Sequence, residues 1–231
     1  MHRSCCASLV LLLLVVGACK TNPDSLLNLS EADVAPLRVR VVHDAEAYAR
    51  YRLVSPDRPI AEFLKPLVKK HLTAWQQAAR TNMPEGQLLC GLCFSVGLGV
   101  TSNETESVRC YRQAAEQGYA PAQNNLAFCY YHGRGLETNK VKAANWYEKA
   151  ALQGYAPAQN SLGICYRDGS GVLKNVAKAV QWFQKAAAQG HAPAAYNAGD
   201  CYAKGVEIER DMTNAVAFYR WAAEHGYARA K

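Results

Sequence analysis

Apolar residues in the C-terminal part of this 231-residue chain recur at helical spacing, and the whole pattern returns every 36 residues. From Gln87 onward, four blocks align without a gap: 87–122, 123–158, 159–194 and 195–230. In the second block, Leu126, Cys129 and Tyr130 stand at i, i+3 and i+4, which is one face of a helix. Gly133 and Gly135 then break that helix with residues free to adopt loop geometry. A second helix is expected from about Asn139, because Ala143, Trp146, Tyr147, Ala150 and Ala151 share a face. Gly154 stands where a helix end favours positive φ, and Pro157 where a first turn tolerates proline. Each block therefore reads as a helical hairpin, with Gly163 and Ala179 small enough to let two backbones approach closely. Hairpins repeated in this way bury their apolar faces by stacking into a solenoid.

The flanks are less regular. Ala78-Ala79 fall one period before Ala114-Ala115, and Asn82 stands where the blocks place Gly. Asn is the next-best residue for that backbone geometry. Residues 59–86 are thus expected to form a capping helix and degenerate half-repeat, with Trp75 packed on the first block. At the other end the chain stops at Lys231, which leaves part of the terminal face around Ala222 and Tyr227 without a following hairpin. Residues 19–58 show no period. KTNPDS begins them as a polar tether, LRVRVV alternates like a short strand, and DAEAYARYRL has the spacing of a short helix. The sequence assigns neither element. If flexible, the segment spans about 30–40 Å by chain statistics.

The third block carries Leu162, Gly163, Tyr166, Gly169, Gly171, Val172, Ala179, Trp182, Phe183, Lys185, Ala186, Ala187 and Gly190. This series resembles the signature of the Sel1-like repeat family, relatives of the tetratricopeptide repeat. The first block departs from it with Cys110 in the Trp position, and the fourth with Glu207 in place of the second loop Gly and Ala198-Gly199 for Leu-Gly. The resemblance implies an all-α fold, a right-handed α-solenoid of tandem helical hairpins, whose usual task is binding other proteins. It also implies that the inner face of each first helix lines a concave groove. Carried through the repeat, the inward stripe comprises Leu88, Leu92 and Ser95; Asn124, Phe128 and Tyr131; Asn160, Ile164 and Arg167; Tyr196, Asp200 and Ala203. Asn124, Phe128, Tyr131, Asn160, Ile164 and Arg167 are the candidate partner-binding residues, since aromatic and Arg side chains recur as binding hot spots. A second reading stands beside this one: Phe128 and Ile164 complete packing between hairpins.

The N-terminus changes the picture of where such a scaffold works. An early charge in MHR precedes an apolar run, Ala7–Val16, too short to span a bilayer. The run ends in Val16-Gly17-Ala18-Cys19, which resembles the lipobox of bacterial lipoproteins. That resemblance implies a signal peptide over 1–18, lipid attachment at Cys19 and a lipidated N-terminus over 19–58. Lys20 after the cysteine implies sorting to the outer membrane. The alternative is an ordinary signal peptide cut near Ala18, with a secreted or periplasmic product.

Candidate chemistry adds little. Net charge is +7, but the basic residues are scattered, and Lys69-Lys70 is the one short cluster, so no nucleic-acid-binding stripe is read. CGLC at 90–93 has the spacing of a dithiol redox site. However, Cys93, Cys129, Cys165 and Cys201 share one repeat position and read as small buried apolar residues. Stacked equivalents stand about 8–10 Å apart or more, beyond the reach of a disulfide. Cys90 and Cys110 are peculiar to the first block and face each other across its hairpin, so they are a candidate disulfide in an oxidising envelope. Cysteine-rich Sel1 relatives place Cys where this chain has Ala115, Ala151, Ala187 and Ala223, so their disulfides do not carry over. The Gly-rich loops lack a preceding strand and a following GK[ST], and His43, His71, His132, His191 and His225 form no metal-binding pair. The expectation is a non-catalytic scaffold or adaptor of the cell envelope, without a cofactor, metal or nucleic acid, that binds a protein or peptide partner. Two alternatives remain: an immunity protein sequestering a toxic enzyme, and an envelope enzyme acting on cell-wall material.

Overall fold

The computed structural model of the chain describes residues 31–54 and 59–227. The signal peptide, Cys19 and the start of the tether lie outside the described residues, as does Lys231. The described residues form helices and no strand: α1 (Glu31–Val54), α2 (Ile60–Arg80), α3 (Pro84–Val96), α4 (Glu104–Glu116), α5 (Ala120–His132), α6 (Lys140–Leu152), α7 (Ala156–Asp168), α8 (Val176–Ala187), α9 (Ala192–Lys204) and α10 (Met212–Glu224). From α2 onward each helix packs on the next. Among the described residues no helix is long and apolar enough to cross a membrane. The chain divides into two compact units within α1. One runs to Arg40, and the other, Val41–Lys231, holds the rest of α1 and every later helix.

The strand-like alternation of LRVRVV is overridden. LRVRVV and DAEAYARYRL belong to one helix, α1. Val41, Ala45 and Tyr48 stand at i, i+4 and i+7, and all three are fully buried. Only a helix puts that set on one face, so burial decides against local alternation.

Each hairpin is built from the same local signals. The first helices open with proline in their first turn and close on a glycine in the left-handed region. Each second helix is capped by Asn103, Asn139, Asn175 or Asp211, whose side-chain oxygen accepts from the backbone N–H three residues on, at 2.8–3.0 Å. Between the two helices lies one aromatic ring per repeat. A Cβ added to Gly163 would meet the Phe183 ring at 2.5 Å, one at Gly91 the Tyr111 ring at 2.6 Å, and one at Gly199 the Tyr219 ring at 3.0 Å. The glycine at this position is therefore a seat for a ring, a more specific role than close backbone approach.

A ladder of glutamines ties each hairpin together and joins it to the hairpin before, with Gln87, Gln123 and Gln159 buried. Gln117, Gln153 and Gln189 donate to the side-chain oxygens of Gln87, Gln123 and Gln159, each at 2.8 Å. Gln123 and Gln159 donate onward to the carbonyls of Ala115 and Ala151 at 3.1 Å. Buried amides placed in this way are satisfied and lock the register between hairpins. At the C-terminal end, Ala222 is fully buried, with Tyr196, Phe218, Trp221 and Tyr227 around it. These rings close over Ala222 itself, while Tyr227 stays half-buried and Glu224, His225 and Gly226 stay exposed, so the terminal face is open in part.

The second loop glycine has a strict steric reason. Gly171 has φ +77, and a Cβ there would overlap the carbonyl of Lys140, in the first turn of α6. Gly154 has φ +86 but open space around its Cβ position. Gly154→Ala is expected to cost about 1 kcal/mol, the left-handed penalty alone. Gly171→Ala is expected to cost at least about 3 kcal/mol, because penalty and overlap add. Comparison of the two variants by urea unfolding checks this, and equal losses would refute the steric reading.

Candidate protein-interaction groove

The inward stripe of the first helices does not present one continuous surface. At its N-terminal end Leu88 and Leu92 are fully buried. Further along, Phe128 keeps 42% of its surface exposed, with its ring 4.3 Å from that of His132. Tyr131 is held between repeats: the Lys140 ammonium lies over its ring at 3.2 Å, and its hydroxyl donates to Ser170 at 3.4 Å. Ile164 packs against the core of the third and fourth repeats, as the packing reading expects. Arg167 makes two bonds to Asp168, at 2.7 and 3.0 Å, and reaches Asn197 at 3.5 Å. Asn197 donates to Asn160 at 2.8 Å. The structure thus joins Asn160 and Arg167 through Asn197 and leaves Phe128 the most open of the six candidates.

Sequence reasoning missed the neighbouring position. Asn125 and Asn197 occupy the same place in their repeats, one residue after the stripe position of Asn124 and Tyr196. Their polarity on an otherwise apolar helix edge was the available signal. Asn125 has a partner from outside the repeats: its amide and the Tyr48 hydroxyl exchange hydrogen bonds at 3.2 and 3.3 Å. The Val41–Val54 part of α1 therefore lies against the groove. Its Asp44, also buried, accepts from Trp75 at 2.8 Å and pairs with His71 at 2.7 Å, both on α2. Phe63 of α2 packs near Tyr48 and Tyr51.

Between α1 and the repeats remains a cavity of about 110 Å³. Its lining includes Tyr48 and Arg52 from α1 and Ser95, Tyr111, Asn124 and Phe128 from the repeats. Among the described residues three buried side-chain atoms have no hydrogen-bond partner: Asn124 Oδ1, the Tyr155 hydroxyl and His191 Nδ1. Tyr155 and His191 each stand just ahead of a first helix, and the Arg52 charge acts on both. Burial raises the Tyr155 hydroxyl well above its ordinary range. Burial, with Arg52 second, pushes His191 down to about 4.

The cysteines answer the CGLC question. All six described cysteines are buried free thiols, so the candidate Cys90–Cys110 bridge is not formed in this structure. Cys110 lies beside the CGLC turn, its Cβ 3.3 Å from where a Cβ on Gly91 would stand. Burial pushes Cys93 up to about 12 and Cys110 up to about 11, and Cys90 well above its ordinary value. A nucleophilic cysteine needs the opposite shift. Cys129, Cys165 and Cys201 are likewise pushed up to about 11 by burial. Among the described residues, no group of three His, Cys, Asp or Glu side chains is placed to hold a metal.

His191 has a consequence for stability. Its folded pKa lies below the ordinary 6.5, so as pH falls the unfolded chain takes up this proton first. The stability is intact above about pH 6.5 and falls between 6.5 and 4, by about 3 kcal/mol in total. Three repeats carry Tyr at this place (Tyr119, Tyr155 and Tyr227), so His191→Tyr fits the frame. Urea midpoints at pH 7 and pH 4.5 are expected to diverge in the native protein by markedly more than in His191→Tyr; equal divergence would show that His191 does not titrate as its burial requires.

Comparison with known proteins places this geometry. The Sel1 repeat matches residues 84–119, 120–155, 156–191 and 192–227, well over half of the chain. These bounds start three residues before the blocks read from periodicity and coincide with the start of each first helix. A Sel1 repeat protein from Oxalobacter formigenes is 36% identical, with a TM-score of 0.65, over 70% of this chain and 66% of that one. A protective antigen of uropathogenic Escherichia coli displaying an SLR fold is 26% identical, with a TM-score of 0.66, over 88% of this chain and 42% of that one. An immunity protein from Pseudomonas aeruginosa is 21% identical, with a TM-score of 0.51, over 80% of this chain and 67% of that one, a likeness of fold alone. This chain spans just under two thirds of the first of these and less than half of the second. No curated protein matches it. Sel1 repeat proteins are generally protein-interaction scaffolds. Four consecutive matched hairpins, stacked through a glutamine ladder into an all-α solenoid, make this chain a member of the Sel1 repeat family.

Proposed function

We propose that this protein is a non-catalytic protein-binding scaffold of the bacterial cell envelope, held to a membrane by lipid at Cys19 and capturing a protein partner in its concave groove. The observation that carries the reading is the groove itself. It offers an exposed aromatic, Phe128, beside a Tyr131 platform and an Asn160–Asn197–Arg167 network, and it already accepts a helix of the same chain. Aromatic anchors surrounded by hydrogen-bonding groups are what protein interfaces use. The buried, high-pKa thiols and the neutral buried His191 supply no reactive centre to the groove. The envelope assignment rests on the Val16-Gly17-Ala18-Cys19 motif. An inhibitor reading, in which the partner is a toxic enzyme, draws support from the fold shared with the Pseudomonas immunity protein.

Two measurements test this. Cys19→Ser is expected to abolish incorporation of labelled palmitate and release the protein from the membrane fraction; unchanged incorporation would refute lipidation at that residue. The tagged full chain is expected to capture a partner from envelope extract. A Phe128→Ala/Tyr131→Ala/Arg167→Ala variant with native helicity is expected to lose at least about tenfold in affinity, as loss of hot-spot side chains does. Undiminished capture by the folded variant would remove the groove as the site.

A further inference from the structure

The groove holds a ligand that the chain supplies to itself. Val41, Ala45, Tyr48 and Arg52 fall along one side of α1, and the first three are fully buried. Tyr48 meets two successive repeats: it lines a cavity with Ser95 and Tyr111 of the first and Asn124 and Phe128 of the second, and its hydroxyl bonds Asn125. Arg52 reaches further, toward Tyr155 and His191. The part of the helix that holds Tyr48 and Arg52 therefore lies across the first two repeats. This is helix-in-groove recognition, read by residues spaced at i, i+4, i+7 and i+11.

The fit is incomplete in a specific way. The cavity of about 110 Å³ lies between Tyr48 and Arg52 on one side and Asn124 and Phe128 on the other. Asn124 Oδ1, which lines it, is buried without a donor. The Tyr155 hydroxyl and His191 Nδ1, both within reach of the Arg52 charge, are also buried and unpaired. Covering a polar atom without bonding it forfeits its hydration and returns nothing. α1 therefore closes over Asn124 while leaving its hydrogen-bonding capacity unspent. Its buried carboxylate, Asp44, is committed to His71 and Trp75 of α2, away from the repeats.

From these observations we infer that the concave groove is a helix-docking surface, that α1 is its resident and displaceable occupant, and that the partner enters as an amphipathic helix. That helix repeats the small–aromatic–cation spacing of Ala45, Tyr48 and Arg52. It adds amide or hydroxyl side chains that bond Asn124, Tyr155 and His191. The inference deepens the protein-binding reading and relies on it for the external partner. The exchange of α1 itself does not depend on that partner.

The experiment uses a fluorescein-labelled peptide of residues 37–54 added in trans to the full chain. In an Ala45→Glu/Tyr48→Ser variant, which ejects the resident helix, the peptide is expected to bind in the micromolar range. Binding to the native chain is expected to be at least about tenfold weaker, because the resident helix competes. Equal affinity for both, or binding to neither while the variant keeps native helicity, overturns the inference. Such a failure leaves the protein-binding reading standing, since capture of a partner by another surface is unaffected. Hydrogen exchange of the native protein decides the matter should the variant unfold. Amides of residues 41–52 are expected to exchange at least about 100-fold faster than those of α5–α8, as a helix that undocks alone must. Equal protection of the two sets would show that α1 is an integral part of the fold and overturn the inference.

Discussion

One aromatic ring seated against a residue with little or no side chain sets the geometry of this solenoid. Tyr111 on Gly91, Phe183 on Gly163 and Tyr219 on Gly199 repeat the same contact, with Ala127 and Tyr147 at the corresponding places of the second repeat. The ring fixes the distance and tilt between the two helices of each hairpin. With that spacing set, Cys93, Cys129, Cys165 and Cys201 fall inside and remain neutral. Gln123 and Gln159, bonded to the carbonyls of Ala115 and Ala151 in the preceding hairpin, then set the register between hairpins. The first helices line up, and their inner faces become the groove.

The fourth repeat shows how this geometry survives local departures. Glu207 replaces the second loop glycine and takes φ +61, which costs a non-glycine residue some strain. Its carboxylate compensates: it pairs with Lys174 at 2.7 Å and accepts from the backbone of Val176, the first residue of α8. That places negative charge at a helix N-terminus, where it is favoured. The ladder stops here as well, since Ala195 and His225 stand where the other repeats carry glutamine. The His225 ring stacks on Trp221 at 3.7 Å instead. The last hairpin is finished with aromatic contacts where the earlier ones use amides.

The inner face carries the residues of the proposed binding site. Phe128 stays open, whereas Tyr131 and Arg167 are positioned by Lys140, Ser170, Asp168 and Asn197. Side chains held in this way lose little freedom when a partner arrives, and preorganisation is what turns contact area into affinity. The N-terminal end of the same groove is a closed site, with Leu88 and Leu92 buried and Tyr48 bonded to Asn125.

The sequence by itself determined the repeat, and with it the hairpins, their caps and the burial of the repeat cysteines. Those features arise from contacts between residues close in the chain or one period apart. Such contacts leave a periodic mark: Tyr130 with Asn139, Gln123 with Gln153, Gly163 with Phe183. Only the tertiary structure decided the form and placement of the Val41–Val54 part of α1. Its partners are Asp44 with Trp75 and Tyr48 with Asn125, and no period links those pairs. The strand-like run at its start gave way to a helix because Val41, Ala45 and Tyr48 are buried together. The candidate site was legible as a list of residues but not as a surface. Which of its side chains are open depends on what lies over them, and that is a matter of long-range packing that local spacing does not record.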